Sequence, residues 1–156
     1  MTLAIALAFG LHQLATVVWV GGMFFAHMAL RPAAAESLQA PPRLQLMAGV
    51  FRRFFAWVWA AIVLLWGSGL WIFLVPLAGR AGGHVHLMMG IAAVMTCIFV
   101  FIYVLPYRGF RSAVGGGDWA SAGVRLGLIR RLIGVNLVLG LITALAGAAG
   151  PHLQAV

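Results

Sequence analysis

Long stretches without a single charge alternate along this chain with short stretches in which arginines cluster. Four apolar stretches stand out, at 3–30, 54–77, 85–107 and 132–150. Each reaches or approaches the ~20 residues a helix needs to cross ~30 Å of hydrocarbon. With their flanks they predict helices at about 3–30, 44–77, 84–107 and 120–150, in one domain spanning 1–156. The fold class that follows is an all-α membrane protein, a four-transmembrane-helix bundle.

The linkers carry their own signals. In RPAAAESLQAPPRLQLMAGVFRR the Pro41-Pro42 pair breaks any continuous helix, and a helix resumes from Arg43. The second linker, AGRAGGH, is short. In the third, Gly115-Gly116-Gly117 forms a turn, and Asp118 caps a helix that starts at Trp119 and runs into the last span. The N-terminal run has no basic leader and is too long for a signal-peptide core, so it reads as a retained helix.

Arginine placement sets the orientation. Arg31, Arg43, Arg52 and Arg53 surround the first linker; Arg108, Arg111, Arg125, Arg130 and Arg131 surround the third. The second holds only Arg80 and the tails hold none. Basic residues collect on the cytoplasmic side, which places both termini on the outer side.

Composition agrees. The 156 residues are 64% hydrophobic and 8% charged, against about 25% charged in soluble domains. A soluble fold of this size could not hide so much apolar surface, whereas a bilayer solvates it. The net charge of +8 would suit nucleic acid, but the arginines flank apolar runs, so the expected partners are membrane lipids and not nucleic acid. Cys97 is the sole cysteine, without a CxxC motif. The absence of a carboxylate pair, nucleophile triad, phosphate loop or zinc motif argues against ordinary hydrolysis.

Candidate chemistry rests on the histidines. His12 lies 19 residues from Arg31, His86 lies 22 from Arg108, and His152 lies 21 from Arg131. At ~1.5 Å per residue, all three sit ~28–33 Å above the cytoplasmic boundary. His84 belongs to the same layer, while His27 sits one turn from Arg31 at the opposite end. His27 reads as an interface residue and His152 as a solvated tail residue. Histidines at one level admit a shared ligand. Haem b would be held by His12 and His86, with His84 as the next candidate or a supporting group. Copper would be held by His12, His84 and His86 with thioether help from Met23, Met88 or Met89. Trp19 and Gly22 are placed to line a flat cofactor, though core packing explains Trp19 equally. Arg131 and Asn136, at the inner end of the last helix, suit lipid headgroups or an anion such as a haem propionate. Gly140, Ala144 and Ala148 form a small-residue row suited to a bundle seam or a homodimer face.

Four segments carry a family resemblance: LHQLATVVWVGGMFFAHMALRP, FRRFFAWVWAAIVLLWGSGLW, HVHLMMG and RRLIGVNLVLGL. Together they resemble the small CopD-type membrane proteins, named after the membrane component of bacterial copper resistance. That resemblance covers nearly the whole chain and implies copper uptake across a bacterial inner membrane. More distantly, the layout resembles the HemJ protoporphyrinogen oxidases, four-helix membrane proteins that bind haem b. His12 and Trp19-Val20-Gly21-Gly22 match their first helix; His84 matches the histidine opening their third helix. The lysine two residues on, needed for their activity, is replaced here by His86, so protoporphyrinogen oxidation is not carried over.

The reading preferred on sequence is a membrane haem b oxidoreductase with His12 and His86 as axial ligands. Its one-electron partner would be a quinone, a porphyrin or an oxygen species. The alternative is a copper-binding or copper-transporting protein. A third reading is a structural subunit without a cofactor.

Overall fold

The computed structural model describes residues 2–153, the last three by backbone alone. Four helices are each long and apolar enough to cross a membrane, and the described residues contain no strand. They are α1 (Leu3–Ser37), α2 (Ala40–Leu74), α3 (Gly83–Gly115) and α4 (Trp119–Leu153). The all-α membrane class predicted above is thus found.

Several helix ends differ from the pattern-based bounds, for reasons in the prolines and turns. Pro41 and Pro42 do not delay α2; they occupy its first turn, where the missing N–H has no intrahelical partner to lose. Pro32 does not stop α1, because the π-helical stretch Ala26–Leu30 absorbs its misfit and the helix runs on to Ser37. Pro106 is treated alike in α3, within the π-helical stretch Tyr103–Tyr107. At the other end of α2, the chain leaves the helix after Leu74 through a turn with Ala78 and Gly79 at positive φ. The start of α4 follows the sequence closely: Gly117 takes φ +72° and Asp118 Oδ1 accepts a hydrogen bond from the Ser121 N–H at 3.0 Å.

Short connections make successive helices antiparallel. α1 lies against α2, α3 against α4, and α4 also against α1. Close approach uses glycines: the Phe54 ring covers Gly22, Val20 and Met95 reach Gly140, and the His27 ring lies on Gly134. α2 and α3 are bridged by larger groups, among them Trp59 against Phe99 at 5.2 Å and the Trp66 indole donating to the Thr96 hydroxyl at 3.1 Å.

The surface is apolar along the spans, with Trp57 66%, Val63 68% and Leu145 69% exposed, as lipid contact requires. Hydroxyls within the spans are satisfied locally: Thr16, Thr96 and Thr143 donate to the carbonyls of His12, Ala92 and Leu139.

Candidate metal centre

His12 points at α2. Its Nδ1 lies 3.0 Å from the Ser68 hydroxyl, which itself donates to the Leu64 carbonyl. The His12 tautomer compatible with that donation carries its proton on Nδ1 and leaves Nε2 as the acceptor. The ring rests on Gly69, where a Cβ would come within 3.0 Å of it. His86 is exposed, its Nδ1 is 3.4 Å from the Gly82 carbonyl, and its ring meets Phe73 edge-on at 5.8 Å. Using α2 as a ruler, Ser68 and Phe73 differ by five residues, or about 7 Å of rise. The contacts of His12 and His86 on α2 are thus staggered along that helix.

His84 faces the other way. Its ring lies on Gly150 of α4, where no Cβ would fit, and its buried Nδ1 has no hydrogen-bond partner among the described residues. Met88, one turn along α3, puts its thioether against Gly147, with Cε 2.9 Å from where a Cβ would stand. Met95, two turns further, is 3% exposed and puts its Cε 3.2 Å from the corresponding point at Gly140. One face of α3 thus presents an imidazole and two thioethers in sequence to the glycines of α4. The seam exists because α4 offers glycine at three heights where longer side chains of α3 must lie flat.

This seam suits a soft cation. Thioether and imidazole together select copper over hard ions, and neither carries a charge that the bilayer would penalise. Among the described residues no three His, Cys, Asp or Glu side chains are grouped to cage a metal. The remaining sequence candidates are engaged elsewhere. Trp19 is 2% exposed and packs edge-on against Phe99 at 6.3 Å, and Gly22 lies under the Phe54 ring. Both positions proposed to line a flat cofactor are filled by protein. Asn136 is buried at the helix interface, not at a headgroup: its Nδ2 donates to the Met95 carbonyl at 3.1 Å, and its Oδ1 has no partner among the described residues. Arg131 is exposed, and the His152 side chain lies outside the described residues. Gly140 belongs to the seam, whereas Ala144 and Ala148 are exposed.

Sequence reasoning named Met88 and Gly140 but overlooked Met95, Gly147 and Gly150. The available signal was spacing: Met88 and Met95 are seven apart, as are Gly140 and Gly147.

A family model described as "Copper resistance protein D" matches residues 48–149. The match holds His84, Met88 and Met95 but not His12. It gives no counterpart for the HemJ resemblance. No curated protein and no solved structure matches the chain.

Proposed function

The chain belongs to the copper resistance protein D family, and from that premise we propose that it captures copper, as Cu(I), at the outer end of the α3–α4 seam. The observation that carries the reading is His84: a buried imidazole nitrogen without a partner among the described residues, one helical turn from Met88, whose thioether lies on Gly147. Copper is here the cargo. His84 supplies nitrogen, Met88 sulfur, and Met95 offers a second thioether deeper in the bundle. The arginine distribution supports an orientation with this end outward from a bacterial inner membrane.

Haem b fits these residues less well. Trp19 and Gly22 are filled by neighbours, His12 is tied to Ser68, and His86 stands exposed against Phe73. The preference drawn from the histidine layer alone is reversed accordingly.

Purified protein loaded with Cu(I) in detergent tests the reading. About one copper per chain is expected, and His84→Ala or Met88→Leu should weaken binding by no less than the about 10–100-fold seen when only a supporting partner is lost. A colourless protein that takes up no copper ends the proposal. A Soret band that shifts on reduction would restore haem in its place.

A further inference from the structure

A second feature lies at the opposite, arginine-rich end. α1, α2 and α4 enclose a small cavity of about 20 Å³, lined by His27, Arg31, Met47, Phe51, Arg130 and Ile133. That volume admits one water-sized group. Arg31 from α1 and Arg130 from α4 thus bring two guanidinium groups to one cavity. Both Arg31 and Arg130 are half-buried, so water screens them less than it would on an open surface.

The chain offers this cluster little side-chain counter-charge. Its only carboxylates are Glu36 and Asp118. Asp118 caps α4, and Glu36 is exposed further along α1. The local backbone is arranged around the cavity: the π-helical stretch Ala26–Leu30 carries His27, and its ring lies on Gly134. His27 and Arg31, four residues apart, both face the cavity. π-helical insertions of this kind concentrate at functional sites.

We propose that His27, Arg31 and Arg130 form a binding site for a phosphate group, one of whose oxygens enters the cavity. Guanidinium forks match phosphate oxygens in geometry and charge, and two arginines from two helices repel each other until such an anion joins them. The small volume admits an oxygen while the rest of the group stays at the mouth. A phosphodiester of an anionic lipid and free inorganic phosphate both present that chemistry.

The test is thermal unfolding of the full chain in nonionic detergent and phosphate-free buffer at constant ionic strength. Phosphatidylglycerol, phosphatidylcholine and sodium phosphate are added separately. Phosphatidylglycerol should raise Tm by about 3 °C or more, and phosphatidylcholine should not. If sodium phosphate alone reproduces the rise, the source is free phosphate; if only phosphatidylglycerol does, it is lipid. The rise should fall about threefold or more in Arg130→Gln and in Arg31→Gln, and persist in Arg53→Gln, whose arginine is exposed. Arg130→Gln should also raise Tm without any phosphate, by relieving the repulsion. Should Arg130→Gln fail to fold, Arg31→Gln decides alone. A wild type unmoved by either anion, or an equal rise in every variant, overturns the site.

Discussion

The two halves of the bundle are built differently. Toward the arginine-rich end the core is aromatic and tight: Phe51 stacks on Phe55 at 5.2 Å, Tyr107 meets Phe55 at 4.8 Å, and Phe110 is wholly buried. All of the largest fully buried side chains, including Ile102, Ile129 and Asn136, lie in this half or at its border. Toward the other end the contacts are glycine against His84, Met88 and Met95, and large side chains are replaced by small ones. Lipid competes equally for apolar groups, so helix association in a bilayer depends on close packing and not on burial from water. The aromatic half supplies that packing. It leaves the other half able to hold polarizable, adaptable groups without the fold depending on them.

The contrast can be broken most strongly from the aromatic side. Phe55→Ala removes contacts to Phe51, Phe99 and Tyr107 at once and should cost about 3–5 kcal/mol. Thermal unfolding in detergent should show a fall in Tm of about 10 °C, and a fall below about 3 °C would mean the halves are equally tight. Met88→Leu sharpens the difference from the other side. It conserves volume and should cost less than about 1.5 kcal/mol while abolishing tight copper binding. A large stability loss with copper retained would invert the comparison.

A smaller effect separates His12 from the seam. His12→Ala loses the bond to Ser68, worth about 0.6 kcal/mol on average between membrane helices, and should leave the copper content per chain unchanged. Loss of copper in that variant would move the site to α1. The smallest effect concerns Asp118, outside the spans. Hydrogen bonds from the Ser121 side chain and backbone, with Arg125 nearby, hold its carboxyl below the usual 3.8. A depressed carboxyl contributes stability above the ordinary carboxylate range and loses it as pH falls through the lowered value. Unfolding followed from pH 6 down to pH 3 should therefore show a slight acid loss that Asp118→Asn, which keeps the cap, does not.

Much of the architecture was legible because the bilayer leaves few choices. Length and hydropathy suffice to find a span, and Gly117 with Asp118 announce the start of α4. The Pro41-Pro42 pair misled by position: it starts a helix and does not delay one. Depth was read from residue counts, but counts along one helix do not register it against another. His12 and His86, close in count, meet α2 at Ser68 and Phe73, five residues apart.

What the sequence determined by itself is the set of membrane-crossing helices, because hydrocarbon demands that every backbone polar group be paired within the chain and long apolar runs admit only a helix. Tertiary structure alone decided which imidazole has thioether company. His84 and His86 are two residues apart and so point to opposite sides of α3. Only the packing of α4, with glycines at three heights, selects His84, Met88 and Met95 as the inward set. That choice depends on rotation of one helix against its neighbour, a quantity that no single helix encodes.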